Sequence, residues 1–244
     1  TMNSGNFIVT YESIIPNLIS LKNYKPMLAD FWREGLFEDL NKRYFRLINR
    51  APGMAHCVRS EAMGSYDPYQ TFEHIFGAEN AKSGSYFDRM THFDFKTLLP
   101  ALLQVEDRVS MAHGLESRVP LLDYRLIELV ATIPSNFKLK NGDMKYIFKK
   151  TMSSHLPESI RTRKDKMGFP IPLNSWLRNE LKNYMREVFS SDKSMNREYI
   201  DNHSVLELLE AEGEFGRNIW GLLSLELWQQ EFHDKAQKYR SLLS

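Results

Sequence analysis

The chain has 244 residues, 42% hydrophobic and 12% aromatic, enough apolar matter for a packed core, which excludes a disordered chain. A net charge of +1 excludes whole-surface attraction to nucleic acid. No apolar run is long enough to span a bilayer and no signal peptide opens the chain.

Thr1 stands ahead of Met2, so the first residue is expected to be a remnant or a cut site. Residues 10–22 carry Tyr11, Ile14, Ile15, Leu18, Ile19 and Leu21 at helical spacing, with Pro16 interrupting or opening the helix. Only residues 6–11 resemble a strand. Residues 27–50 predict a long amphipathic helix through Phe31, Trp32, Leu36, Leu40, Tyr44 and Ile48. A Gly- and Pro-containing connection with a short helix follows over 51–67. It holds Cys57, the one cysteine, which excludes an intrachain disulfide and fits a reducing, cytoplasmic setting. Cys57 is expected to pack as a small buried hydrophobe.

A short helix over 68–76 starts with Pro68, and 77–86 reads as a loop. Asp94 is the expected N-cap of the next helix. Its stripe, Phe95, Leu98, Leu99, Leu102, Leu103 and Val109, includes Glu106, and a carboxylate there needs a partner or a function. Two short helices joined at Gly114 and ended at Pro120 are expected to bring Asp107, Arg108, Glu116 and Arg118 close. That arrangement suits either a buried ion network or a polar substrate site. Asp123 reads as the cap of a helix that Pro134 ends, and Asp143 as the cap of another. Residues 160–175 are irregular, and Ser175 caps a helix to Val188. Two more helices fill about 204–212 and 216–234, with Trp220 and Trp228 expected as core or packing residues. The fold class is mainly α.

From Lys138 to Lys166 nine basic residues face only Asp143, Glu158 and Asp165, so the rest of the chain is net acidic. Such a segment suits a localised anion site or a solvated basic face. Lys145 is expected in the first turn of a helix, where it opposes the helix dipole but joins outward N–H groups that favour phosphate. A desolvated lysine on the loop RTRKDKMGFPIPLNSW (161–176) can stabilise developing negative charge.

The runs LLPALLQVEDRVSMAHGLESRVPLLD (98–123), GDMK (142–145), LPESI (156–160) and RKDKMGFPIPLNSW (163–176) stand in this order. Together they resemble the synthetase domain of the glutamine-hydrolysing asparagine synthetase family. The resemblance implies a ligase that adenylates aspartate with ATP and Mg²⁺ and amidates it with glutamine-derived ammonia, releasing pyrophosphate and AMP. It implies that Lys145 contacts the phosphates and that Lys166 stabilises charge during both steps, with Lys164 as the alternative. Glu116 and Arg118 would shape the substrate site, supported by Glu106, Asp107 and Arg108. No metal ligand is assigned in this chain.

The resemblance also implies what is not here. The family's Ser-Gly-Gly-x-Asp-Ser loop is absent, Ser83-Gly84-Ser85 being the nearest string. A Gly-Glu-Gly-x-Asp-Glu motif and a cysteine-headed glutaminase domain are absent too. The chain is thus expected to be the helical C-terminal part of an ATP-pyrophosphatase-type (adenine nucleotide alpha hydrolase-like) synthetase domain, lacking the α/β pyrophosphate-loop half. Residues 1–90 would be a helical lead-in and 91–244 the family-like region. The expected partners are the upstream pyrophosphate-loop and glutaminase domains. Alone, the chain is expected to be inactive and to expose an apolar face. The competing reading is a non-catalytic helical module that binds a partner or a polyanion through 138–166.

Overall fold

The computed structural model describes Arg33 and residues 38–82, 84–163, 171–211 and 217–242, with the side chain of Asn174 omitted. The strand-like stretch 6–11, the helix expected over 10–22 and residues 27–32 and 34–37 of the helix expected over 27–50 lie outside the described residues. The described residues are mainly helical, as expected, and no helix among them is long and apolar enough to cross a membrane.

In chain order the longer elements are α1 (Leu40–Ile48), α2 (Pro68–Phe76), α3 (Tyr86–Lys96), α4 (Leu98–Met111) and α5 (Tyr124–Thr132). A hairpin of β1 (Leu139–Lys140) and β2 (Asp143–Met144) leads into α6 (Tyr146–Thr151). Then come α7 (Leu173–Arg178), α8 (Lys182–Ser190), α9 (Asn202–Ala211), α10 (Asn218–Trp228) and α11 (Ala236–Ser241). Short turns lie between them, with a seven-residue 3₁₀ segment at Ala51–Cys57. The chain divides into two compact units, residues 1–41 with 67–166, and residues 42–66 with 167–244. The boundary expected at 90/91 falls inside α3.

The first unit centres on aromatic rings. Phe72 and Phe76, one helical turn apart on α2, stack at 4.9 Å, and Phe93 and Tyr86 of α3 close on them at 5.2 and 5.4 Å. The Arg89 guanidinium covers the Phe76 ring at 4.3 Å. Asp67 caps α2 by accepting from the Tyr69 N–H, and Pro68 stands at its first position as expected. Stretch 77–86 is less loop-like than its composition suggests, since Glu79–Lys82 forms one helical turn. Ser85, not Asp94, starts the next helix. Ser85 and Asp88 form a reciprocal capping box, so α3 begins eight residues before Asp94. Thr97, with φ −120° and ψ −64°, then separates α3 from α4.

The apolar stripe of α4 faces outward. Leu98, Leu102, Val105 and Val109 repeat at four-, three- and four-residue steps, and all are exposed, Val105 by 63% and Val109 by 61%. Tyr124, Leu129 and Val130 of α5 are exposed as well. This is the apolar face expected above, and surfaces of this kind associate. The isolated chain is predicted to self-associate in light scattering as concentration rises. Val105→Lys with Val109→Lys should shift it toward monomer, while a wild-type chain that stays monomeric across the range contradicts the prediction.

The second unit has the aliphatic core. Leu177 of α7, Met185 and Phe189 of α8, Val205 and Leu209 of α9, and Ile219, Leu222 and Leu223 of α10 are buried together. Cys57 is buried among them, as expected. Val58 bridges Ile200, with Asp201 N–H donating to the Cys57 carbonyl at 2.9 Å. Gly53 permits close approach to α10, where a Cβ would stand 2.6 Å from Asn218 Nδ2. Ser175 lies inside α7 rather than capping a long helix. Asn179, at φ −111° and ψ −87°, ends α7, so the expected helix is two. Trp220 and Trp228 are 49% and 47% exposed and are not core residues, because α10 buries its opposite side through Ile219, Leu222, Leu223 and Glu226.

Candidate functional site

All the candidate residues within the described part lie in the first unit. Glu106, Asp107 and Arg108 stand on the last turns of α4. The helix ends at Met111 and does not restart at Gly114, so the two expected short helices are one helix and a turn. Two groups shape that turn. Ser110, buried at the end of α4, donates its hydroxyl back to the Glu106 carbonyl at 2.6 Å, and its own carbonyl accepts from the Leu115 N–H at 3.0 Å. Gly114 takes φ +67°, which a side chain would strain. The chain reverses, and the Ser117 hydroxyl donates to Glu106 Oε1 at 2.6 Å.

That contact answers why a carboxylate stands on an apolar stripe: Glu106 ties the returning chain to α4. Glu116 and Arg118 pair with each other at 2.8 Å, and both are exposed. Asp107 and Arg108 are exposed too. The buried ion network considered for this stretch is therefore not what the fold builds, because 111–121 never re-enters the core. Asp123 caps α5 as expected, accepting from the Arg125 N–H at 2.9 Å and pairing with its guanidinium, which holds the carboxyl below its usual range.

The phosphate candidate Lys145 differs from expectation. Asn141 (φ +49°) and Gly142 (φ +79°) make the tight turn of the hairpin, in which Leu139 faces Met144 and Lys140 faces Asp143. Asp143 is therefore a strand residue and not a helix cap, and its carboxylate pairs with Lys149. Lys145 is the N-cap of α6, not a first-turn residue, and sits at φ +58° and ψ +32°. The left-handed region is unfavourable for a lysine by about 1–2 kcal/mol, and such strain clusters at functional sites. The side chain is exposed. The Asn-Gly dipeptide signals the hairpin, but nothing in the sequence marks the lysine's backbone.

Other cations of the basic segment are engaged. Lys138 pairs with Asp88 at 3.2 Å, Lys140 lies 4.9 Å from the Tyr146 ring centre, and Arg161 pairs with Glu158. Burial opposes ionisation of Asp88, yet its bonds from Ser85 and Lys138 hold its carboxyl below the ordinary value. Asp88 is the one partner here that lies outside the segment, so it offsets one cation of the local excess. Lys164 and Lys166 lie outside the described residues. Among the described residues, no group of three His, Cys, Asp or Glu is placed to hold a metal ion.

The asparagine synthase family model matches residues 11–230. Over 190 residues the chain is 32% identical to asparagine synthetase [glutamine-hydrolyzing] 1 of Bacillus subtilis, a match covering 75% of this chain and 30% of that protein. Asparagine synthetase [glutamine-hydrolyzing] 3 of the same organism is 26% identical over 211 residues, 86% of this chain and 30% of that one. A putative asparagine synthetase [glutamine-hydrolyzing] of Mycobacterium tuberculosis is 26% identical over 201 residues, again covering 30% of its length. The chain thus spans about 30% of the length of these curated relatives. No solved structure matches it. With the family's match running through the α4 turn and Lys145 alike, the chain belongs to the asparagine synthase family.

Proposed function

We propose that the α4 turn, the hairpin and Lys145 form one wall of an adenylating amide-ligase site. The rest of that site would come from an upstream pyrophosphate-loop half of ATP-pyrophosphatase type and a glutaminase domain. In the reaction, a carboxylate oxygen, that of the aspartate side chain by default, attacks the α-phosphorus of ATP and pyrophosphate leaves. Glutamine-derived ammonia then attacks the acyl carbon, the bond to AMP breaks and nitrogen sheds a proton. Lys145 would contact the phosphates, and Lys166, or Lys164 in its place, would stabilise the charge that develops. Glu116 and Arg118 would shape the carboxylate's site, with Glu106, Asp107 and Arg108 behind them. Mg²⁺ would hold the phosphates of ATP in the longer enzyme, with ligands chiefly outside this chain.

The observation that carries this reading is the family match over 11–230. The strained, exposed Lys145 and the uncovered apolar face of α4 support it. Against the polyanion-binding alternative, Lys138 is committed to Asp88 and Lys140 lies against the Tyr146 ring. The test is AMP release from ATP in the presence of aspartate and glutamine. The chain alone should release none, and the chain joined to its upstream half should. Release by the chain alone overturns the shared-site reading. No release by the longer polypeptide overturns the ligase reading.

A further inference from the structure

In the second unit, Arg197 holds two carboxylates of one C-terminal helical segment. Its Nε and Nη2 donate to Glu226 at 3.0 Å each, and its Nη1 and Nη2 donate to Asp234 at 2.9 and 2.8 Å. Gln230 Nε2 donates to Glu226 Oε1 at 2.9 Å, and Lys193 stands 3.9 Å from Asp234. Glu226 is fully buried, and Arg197 and Asp234 largely so.

The helix geometry makes this double grip unexpected. In an uninterrupted α-helix, residues eight apart point about 80° away from each other. Between Glu226 and Asp234 the backbone makes a π-turn, Gln229–His233, with Asp234 N–H donating to the Gln229 carbonyl at 3.0 Å. A π-turn absorbs one residue, so the two carboxylates fall about 20° apart, as an i, i+7 pair does. The turn is what aims Asp234 at Arg197. Beyond Glu226, none of the described residues is buried. The segment 229–242 is therefore held chiefly by polar contacts, and Asp234 is the strongest of them toward the core. The family model ends at residue 230, so Asp234 lies past the family-matched region.

We propose that Arg197 and Asp234 form a latch, with the π-turn setting its register, that fixes segment 229–242 and lets it open as a unit while the core beneath stays closed. The latch has two parts of different duty. Glu226 anchors Arg197 within the core, and Asp234 is the catch.

Hydrogen–deuterium exchange on the whole chain tests this. Asp234→Ala leaves Arg197 paired with the buried Glu226, so the core should survive. Exchange across 229–242 should rise by about tenfold or more, the loss expected for a pair of charge-assisted hydrogen bonds. Exchange across 202–226 should not change. Deleting Gln229 removes the residue that the π-turn absorbs and leaves the two carboxylates a plain i, i+7 pair about 20° apart, so exchange across 229–242 should stay near that of the wild type, and adding Asp234→Ala to that deletion should raise it as in the full chain. Unchanged exchange across 229–242 in Asp234→Ala overturns the latch. Equal acceleration through 202–226 also overturns it, since the cluster would then be part of the core's own cooperative unit. A rise across 229–242 in the Gln229 deletion as large as that in Asp234→Ala overturns the proposal that the π-turn aims Asp234 by absorbing one residue.

Discussion

Arg197→Met is expected to lower the stability of the second unit by about 3–5 kcal/mol, read from the denaturant midpoint and from exchange across α9 and α10. The reason is Glu226. Its carboxylate has no solvent exposure, and Arg197 supplies two of its hydrogen bonds. With Arg197 gone, Gln230 remains at 2.9 Å and the Tyr199 hydroxyl stands at a long 3.5 Å, too little to solvate a buried charge. Burial and the neighbouring Glu226 charge already push the Tyr199 hydroxyl up to about 12. A decisive control is Arg197→Met with Glu226→Met. Apolar side chains of similar volume in place of the pair should recover most of the loss. If the double variant is as unstable as the single one, packing and not the stranded charge explains the effect. If the single variant loses under about 1 kcal/mol, the pair is no more than a surface bridge.

The same groups set a pH dependence. Arg197 holds the Asp234 carboxyl below its usual range, so its contribution is present at neutral pH and is lost as pH falls through the lowered value. Burial raises Tyr69, Tyr86 and Tyr199 to about 12. Their contribution runs the other way, full below the ordinary tyrosine value of about 10 and lost as pH rises toward 12.

The sequence made some of this legible and hid the rest for physical reasons. Local signals survived folding. Pro68 opens α2 and Asp123 caps α5, because a ring without an N–H and a short carboxylate act on their own backbone. Long-range choices did not show. Asp94 and Asp143 have the chemistry of caps, but Ser85 and Asp88 satisfy each other earlier in the chain, and a hairpin claims Asp143. Trp220 and Trp228 look like core by composition, yet α10 is apolar nearly all round and the pattern could not say which side is buried. At the candidate site, residue types announced charge and anion affinity. The Ser117 to Glu106 bond and the left-handed Lys145 depend on how a turn closes, which no periodicity encodes. The basic segment shows the limit most clearly. Its nine cations read as one patch, and the fold gives Lys138 to Asp88, fifty residues away.

That distribution of partners supports a second large effect. In the longer polypeptide, Lys166→Ala and Lys145→Ala should each lower amide formation by about 10²–10³-fold, the scale of removing one donor aimed at developing charge. Lys138→Ala and Lys140→Ala should stay within about two- to threefold, as surface changes do. The contrast follows from position. Lys138 is committed to Asp88 and Lys140 lies against Tyr146, whereas Lys145 projects from a strained backbone that favours no other evident purpose. For Lys166 the argument is its place before the Gly-Phe pair, by family resemblance. A polyanion-binding face predicts a different pattern. All four replacements would then weaken binding about equally, and each would flatten its dependence on salt. Equal losses across the four lysines overturn the enzyme reading of this segment. A loss confined to Lys145 and Lys166, with amide formation falling and the fold intact, assigns the charge of 138–166 to phosphate chemistry at two points.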